Sequence, residues 1–257
     1  MNNVLEFEKI PTQIYSNSQI ASLAVAKEMA DLITEKSKNG KHCVLGLATG
    51  STPKSVYKEL IRLHKEEGLS FKNVYSFNLD EYYPMRPDSL HSYVRFMNEQ
   101  LFNHIDIPRD NCFIPDGTIT PENIKDFCIT YEEKISKLGG IDFQLLGIGG
   151  NGHIGFNEPG VDITLQAHDQ ELHGSTLASG QLYFNEPTPI SKGITLGMAQ
   201  VMKARCLLML ANGNSKAAII QKACEGPVTN EVPASYIQQH RHAVLMIDKA
   251  AAAALSK

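Results

Sequence analysis

The stretch HCVLGLATGSTP, residues 42–53, carries the clearest fold signal in the chain. Its first seven residues form an almost wholly apolar run, which is typical of a parallel strand covered on both faces. A glycine, hydroxyl-bearing residues and a proline follow at 49–53, and these favour a tight turn and the start of a helix. The pattern predicts a strand at 42–48 and a helix from 54 to about Gly68.

The same alternation continues along the chain in both directions. Helical spacing over 18–37 places apolar side chains on one face, and Asn39-Gly40 ends that helix. Repeated strand–helix alternation predicts an α/β fold of three αβα layers, with a mainly parallel, Rossmann-like open sheet. The apolar face over 18–37 comprises Ile20, Leu23, Ala26, Ala30 and Ile33; further strands are predicted at 74–79, 143–148, 206–211 and 243–247, and further helices at 90–104, 121–138 and about 214–224.

No linker, internal repeat or low-complexity tract divides the sequence. Residues 1–257 are therefore predicted to form a single domain. The stretch 160–192 is the least regular and is predicted to be a loop excursion or a lid over the site.

The charge balance excludes some partners. The 257 residues carry 24 basic and 28 acidic side chains, for a net charge of −4, with no basic run. A protein that binds nucleic acid through its phosphates needs local or overall basic surplus. No apolar run approaches the roughly 20 residues that span a bilayer, and the first ten residues lack the features of a signal peptide. We expect neither a nucleic-acid partner nor a membrane partner.

Cysteine and histidine spacing gives no sign of a metal site. The five cysteines are widely spaced and form no C-x-x-C pair, so buried reduced thiols and a reducing, cytoplasmic compartment are expected. Neither His168 with His173 nor His240 with His242 has the spacing of a metalloprotease helix. The cysteines are Cys43, Cys112, Cys128, Cys206 and Cys224.

The turn at 49–53 is a candidate anion site. Free backbone N–H groups at Thr49, Gly50, Ser51 and Thr52 would point at whatever lies above the strand's carboxyl end, which suits a phosphate. The stretch lacks the Gly-Lys pair of a Walker loop. The alternative is a turn without a ligand, in which Ser51 and Thr52 cap the helix.

Two adjacent carboxylates, Asp80 and Glu81, lie in FNLDEYY (77–83) at the end of a predicted strand. Ligands of open α/β sheets bind outside the carboxyl ends of strands. One carboxylate could abstract a proton while the other is a structural partner. A turn or helix cap is the alternative interpretation.

A glycine-dense loop, LGIGGNGHIGFNEPG at 146–160, contains a literal G-x-G-x-x-G. We reject a dinucleotide site because further glycines and a proline follow at once, so the required long helix does not begin there. The loop instead brings His153 close in sequence to Asn151 and Glu158. A histidine with a nearby carboxylate is a common acid–base pair.

Lys216 lies in NGNSKA (212–217), at the start of a predicted helix. Its charge opposes the helix dipole there, which is unfavourable unless the lysine has an anionic partner. A solvated surface lysine is the alternative.

Taken together, these segments resemble the glucosamine-6-phosphate deaminase/isomerase family, over nearly the whole chain. The resemblance implies an enzyme of amino-sugar catabolism that is both an isomerase and a hydrolase. It would convert a hexosamine 6-phosphate to a ketohexose 6-phosphate and ammonia, without a metal or other cofactor. The matching pieces are LGLATGSTP (45–53), FNLDEYY (77–83), LLGIGGNGHIGFNEPG (145–160), GITLGM (193–198) and GNSKA (213–217).

The resemblance also implies roles for individual residues. Residues 49–52 would hold the phosphate with backbone groups and the Thr52 hydroxyl, and Lys216 would neutralise it. His153, held by Glu158, would assist opening of the sugar ring. Asp80 would take the C2 proton and return it at C1, after which water hydrolyses an imine to release ammonia.

Two positions depart from the family pattern. Asn151 stands where some members carry Asp, and because Asn is not a base the proton work falls to His153 and Glu158. Leu182, in SGQLYF, stands where glucosamine-type members usually carry an Arg that clamps the phosphate. GITLGM and VPASY (232–236) look more like the galactosamine-6-phosphate branch, so the resemblance leaves both epimers open.

Other outcomes remain open from the sequence. A 6-phosphogluconolactonase has the same fold, although its histidine loop usually lacks the FNEP continuation. A non-catalytic sugar-phosphate sensor would usually carry a DNA-binding segment, and none is seen before residue 18. No Lys or Arg occurs in 161–180, which predicts no allosteric activation. A homo-oligomer is allowed but not indicated by any pattern.

Overall fold

Strands and helices alternate around a seven-stranded sheet in the computed structural model, which describes residues 9–181 and 190–256. Short 3-10 helices lie between some of these strands and helices, at Phe102–His104, Arg109–Asn111, Pro121–Asn123, Asn214–Lys216 and Pro233–Gln239. The strands are β1 (Thr12–Tyr15), β2 (Cys43–Leu47), β3 (Val74–Asn78), β4 (Asp80–Tyr83), β5 (Cys112–Phe113), β6 (Phe143–Leu146), β7 (His168–Glu171), β8 (Lys192–Thr195), β9 (Leu207–Ala211) and β10 (Ala243–Asp248). The helices are α1 (Ser18–Lys38), α2 (Lys54–Glu67), α3 (Tyr93–Gln100), α4 (Ile124–Lys137), α5 (Gly174–Gln181), α6 (Met198–Val201) and α7 (Ala217–Cys224).

The main sheet has the strand order β1-β10-β9-β6-β2-β3-β5, and all of its pairs are parallel. β2 is fully buried, and its alternate side chains enter two separate cores. Residues of α1, α2 and α3 line one core, and residues of α4 and α7 line the other. The predicted α/β fold with helices on both faces of a parallel sheet is confirmed.

The order of strands creates a crevice beside β2. The chain runs from β2 to β3 and β5 on one side, then returns to place β6 on the other side of β2. In open α/β sheets, ligands bind outside the carboxyl ends of the strands at such a switch point. The loops that follow β2 and β6 both lie at this point.

The buried face of α1 differs from the prediction. Ala26 and Ile33 are buried as expected, but Ile20 and Leu23 are 44% and 39% exposed. Apolar residues cover much of this helix, so helical spacing alone does not decide which of two adjacent faces meets the sheet. The residues that pack inward are Ala21, Ser22, Val25, Ala26, Met29 and Ile33.

A second, antiparallel sheet of β4, β8 and β7 was not predicted. β7 and α5 lie in the stretch 160–192 that the sequence marks as irregular. The side chains of β7 alternate between half-buried and exposed, so it has no apolar run to reveal it. Residues 182–189, including Leu182, lie outside the described residues. The prediction of a lid therefore stays untested for this part of the stretch.

Among the described helices, none combines the length and the apolar character that a bilayer crossing requires.

Candidate active site

A cavity of about 440 Å³ opens at the carboxyl ends of β2, β3 and β6. It brings together most of the site residues predicted from the sequence: Thr49, Gly50, Ser51, Thr52, Asp80, His153 and Lys216. Asn151 and Glu158 do not line it, but both lie behind His153 and contact its surroundings. The predicted residues therefore form one site with two layers. The first layer lines the cavity, and Asn151 and Glu158 form the second layer behind it.

The turn after β2 presents backbone to the cavity. Gly50 has φ +95°, a conformation that side chains rarely adopt. α2 begins at Lys54 with Pro53 at its N-cap position, and no side chain caps it. The expectation that Ser51 or Thr52 caps the helix is thus wrong, because a helix that enters through proline leaves them outside the capping position. The N-terminal N–H groups stay available to an anion.

Asp80 begins β4 and faces the cavity. Its side chain is only 6% exposed, and Thr195 of β8 lies opposite it in the small sheet. Gly155 lies beside it, since a Cβ built there would sit 3.3 Å from Asp80 Oδ2. Burial raises the pKa of Asp80 to about 7. A carboxylate with a pKa near neutrality is suited to accept and return a proton.

This burial makes a prediction about stability. The pKa of Asp80 rises from 3.8 to about 7 on folding, so stability falls as pH rises through this interval, where the unfolded chain binds fewer protons. Asp80→Asn removes the buried charge with little change in shape. We expect this substitution to raise the Tm at pH 8 by several degrees. The free energy of unfolding should rise by about a few kcal/mol at most. The difference should vanish near pH 3.5, and an equal shift at both pH values would contradict it.

Glu81 points away from the cavity and anchors α3. Its carboxylate accepts backbone N–H bonds from Tyr82 at 2.9 Å, Tyr93 at 2.8 Å and Val94 at 3.3 Å. A carboxylate at a helix N-terminus is favoured by the helix dipole. Of the two adjacent acids, Asp80 is placed for chemistry and Glu81 for structure.

The glycine-dense loop folds back on itself rather than starting a helix. Gly149 N–H donates to His153 O at 3.0 Å, and the buried Asn157 amide donates to the carbonyls of Ile154 and Leu196 at 2.9 Å each. The imidazole of His153 lies against Gly149, where a Cβ would be 2.3–2.4 Å from ring atoms. Glycine therefore makes room for the histidine, and the rejection of a dinucleotide site agrees with this geometry.

Glu158 and Asn151 form the second layer, behind His153. His153 Nδ1 lies 3.5 Å from Glu158 Oε2, and the Asn151 amide donates to the same oxygen at 2.8 Å. Burial raises the pKa of Glu158, but hydrogen bonds from His153, Thr176 and Asn151 outweigh it and lower the pKa to about 2. Glu158 is therefore an anion that holds and orients the imidazole, and it does not supply a proton itself.

Lys216 reaches the cavity from the short 3-10 helix before α7. Its Nζ donates to Ile148 O at 2.7 Å, and burial lowers its pKa. The side chain is thus directed inward and is not the solvated surface lysine that the sequence left as an alternative. An ammonium group held in a cavity wall can bind an anionic ligand.

Several cavity residues lie outside the motifs that the sequence analysis selected. Lys54, the first residue of α2, lines the cavity with its Nζ 5.5 Å from the Phe96 ring centroid. Thr176 of α5 lies 3.2 Å from His153 Nδ1. Tyr93 packs 4.9 Å from Tyr82 between ring centroids. Lys54 directly follows the 49–53 turn and could have been noticed there, whereas Thr176 and Tyr93 lie on elements that only folding brings near.

Comparisons with known proteins show the family of the chain. A model of the family described as glucosamine-6-phosphate isomerases/6-phosphogluconolactonase matches residues 16–246. The glucosamine-6-phosphate deaminase of Clostridium perfringens (strain 13 / Type A) is 42% identical over 240 residues, which are 93% of this chain and 97% of that protein. A glucosamine-6-phosphate deaminase-like protein of Bacteroides thetaiotaomicron is 44% identical over 97% of this chain, but this chain spans only 38% of its length.

Solved structures give the same result for the fold. The structure of a monomeric glucosamine-6-phosphate deaminase matches with a TM-score of 0.91 and 37% identity, over 95% of this chain and 100% of that one. A 6-phosphogluconolactonase of Trypanosoma brucei matches with a TM-score of 0.77 over 97% of this chain and 100% of that one, at 22% identity. At that identity the second likeness concerns the fold alone.

Proposed function

The chain belongs to the glucosamine-6-phosphate isomerase/6-phosphogluconolactonase family, and we propose that within it the chain is a hexosamine-6-phosphate deaminase. It would isomerise the amino sugar to a ketohexose 6-phosphate and release ammonia. The observation that carries the proposal is that Asp80 and His153, with Glu158 behind the imidazole, share one cavity with the turn at 49–52, whose backbone N–H groups would bind an anion. Two proton-transfer groups and a phosphate site are what this isomerisation requires.

One expectation from the resemblance is wrong. The chain was expected to count as a hydrolase as well as an isomerase. Its more similar relatives are deaminases at 42% identity, while the lactonases, which are hydrolases, are fold neighbours at 22% identity or below. The likeness to these hydrolases therefore concerns the fold and not the reaction class.

The reaction would proceed by acid–base steps. His153 takes the proton from the anomeric hydroxyl and delivers it to the ring oxygen, which opens the pyranose. Asp80 then removes the C2 proton and returns it at C1, and the enolamine becomes a 2-imino sugar. Addition of water to that imine releases ammonia. The near-neutral pKa of Asp80 supports its use in both directions of proton transfer.

The phosphate would lie on the turn at 49–52. Backbone N–H groups near Gly50 and the start of α2 would donate to its oxygens, and Lys216 would balance its charge. Binding energy from a phosphate remote from C1 and C2 would position the reacting carbons beside Asp80. This supports a sugar phosphate rather than a neutral sugar as the substrate.

The two lysines of the cavity are expected to differ in importance. Lys216→Met removes a half-buried cation and should raise KM by about 10- to 100-fold. Lys54→Met removes an exposed cation, which solvent screens, and should raise KM by only about 2- to 3-fold. Steady-state kinetics of both variants test this, with Lys58→Met, an exposed lysine of α2 that does not line the cavity, as the control. Equal effects of Lys58→Met and Lys216→Met would contradict it.

Glucosamine 6-phosphate is the proposed substrate of the two epimers, because relatives that match most of this chain carry that name. The test compares three substrates: glucosamine 6-phosphate, galactosamine 6-phosphate and 6-phosphogluconolactone. Ammonia from glucosamine 6-phosphate supports the proposal. Ammonia from the galactosamine epimer alone would move the chain to that branch, and acid from the lactone without ammonia would make it a lactonase. Tight binding without turnover of any would identify a sensor.

We also propose that residues 1–257 form one domain and that the protein works in the cytoplasm. The five cysteines are all unbridged, although several are buried, and reduced thiols persist in a reducing compartment. Homo-oligomerisation stays a prediction, and one structural relative is described as monomeric.

A further inference from the structure

Thr176 lies between the two members of the acid–base pair. Its side chain is 5% exposed, and Oγ1 is 3.2 Å from His153 Nδ1. The Glu158 carboxylate accepts a hydrogen bond from the same hydroxyl. By comparison, the direct approach of His153 Nδ1 to Glu158 Oε2 is longer, at 3.5 Å. The hydroxyl thus interacts with both the imidazole and the carboxylate.

The donor count fixes the direction of this link. A threonine hydroxyl has one proton to donate, and Glu158 as an anion can only accept. When the Thr176 hydroxyl donates its hydrogen bond to Glu158, Thr176 Oγ1 can only accept a hydrogen bond from His153. His153 Nδ1 must then carry a proton, which it directs at Thr176 Oγ1, 3.2 Å away, and at Glu158 Oε2, 3.5 Å away. In the neutral imidazole, Nε2 is left without a proton.

The other partners of Glu158 do not compete for this role. Asn151 donates an amide N–H at 2.8 Å, and His173 donates its backbone N–H at 3.2 Å. The His173 imidazole is nearly half exposed, with Nδ1 3.8 Å from Glu158 Oε2. These groups hold the carboxylate in place, whereas Thr176 contacts both the carboxylate and His153.

We infer that Thr176 is a positioning residue that sets the tautomer of His153, by accepting from Nδ1–H and donating to Glu158. This leaves the Nε2 lone pair as the base for ring opening. The inference rests on the proposed function for its catalytic consequence, but not for its geometry. The role belongs to α5, an element that the sequence motifs did not include.

The test uses Thr176→Val, which keeps the shape and removes the hydroxyl, and Thr176→Ser, which retains a hydroxyl. Two-bond ¹H–¹⁵N spectra of the unliganded protein report which ring nitrogen of His153 carries the proton. We expect the Nδ1–H form to predominate in the unmodified protein and in Thr176→Ser, and the Nε2–H fraction to rise in Thr176→Val. Because no substrate is present, this measurement stands even if the proposed reaction fails.

Kinetics give the second readout. Thr176→Val should lower kcat by about 10-fold, the effect of one hydrogen bond, with KM within about 2-fold. Thr176→Ser should stay within about 3-fold of the unmodified enzyme. Thr130→Val is the matched control, because its hydroxyl bonds only the Asp126 carbonyl of its own helix. An unchanged tautomer in Thr176→Val, or equal impairment of the Ser and Val variants, would overturn the inference.

Discussion

Asp80→Asn is expected to lower kcat for ammonia release by about 10³-fold. The substitution keeps the size and the buried position of the side chain but removes its ability to accept the C2 proton. Asp80 is the carboxylate that faces the cavity, since Glu81 is bound to the backbone at the start of α3. Exchange of the C2 hydrogen with deuterated solvent should disappear along with ammonia release.

The control for this prediction is a measurement of the folding and stability of the Asp80→Asn variant. Asp80→Asn should unfold cooperatively and be at least as stable as the unmodified protein at neutral pH, since it no longer buries a carboxylate. Loss of activity with an intact fold then reports chemistry. Retained C2 exchange in a folded Asp80→Asn variant would remove Asp80 from the role of base.

Gly149→Ala should lower kcat by about 10²-fold because it displaces the His153 imidazole, although His153 itself is unchanged. The added Cβ would lie 2.3–2.4 Å from three atoms of the imidazole, so the ring has to move. Displacement of a catalytic group by about 1 Å is enough for a loss of this size. The expected signature is a fall in kcat at nearly constant KM, because the turn at 49–52 and Lys216 are untouched.

Gly150→Ala is the matched control one residue away. A Cβ at Gly150 meets no atom within 4 Å, and Gly150 is not among the glycines with positive φ. Its kcat should remain within about 2-fold of the unmodified enzyme. Equal losses in the two variants would show that the loop tolerates no substitution for general reasons, and would contradict the specific contact with His153.

The sequence predicted the parts of the fold that rest on local patterns. β2 is an apolar run followed by a turn, and the structure places it inside the sheet, between β6 and β3. The small sheet of β4, β8 and β7 was missed because its strands are short and partly polar, and because β4 pairs with a strand far along the chain, with Asp80 opposite Thr195 of β8. Pairing over such distances leaves no periodic mark in the sequence.

The candidate site divides in the same way. Asp80, His153 and Glu158 stand in dense, unusual motifs, so the sequence alone is enough to select them. The literal G-x-G-x-x-G could be set aside from its flanking residues, and Gly149 now has a steric reason of its own. Thr176 could not be selected, since its importance depends on which side chains α5 brings against the cavity.

The central claim is that this cavity deaminates a hexosamine 6-phosphate, and product stoichiometry tests it most directly. Glucosamine 6-phosphate and galactosamine 6-phosphate are incubated separately with the unmodified protein, and ammonia and ketohexose 6-phosphate are measured in the same samples over time. The account predicts that the two products appear together in a 1:1 ratio, and that both are absent with Asp80→Asn. Ketose without ammonia, or no product from either hexosamine 6-phosphate, would contradict it.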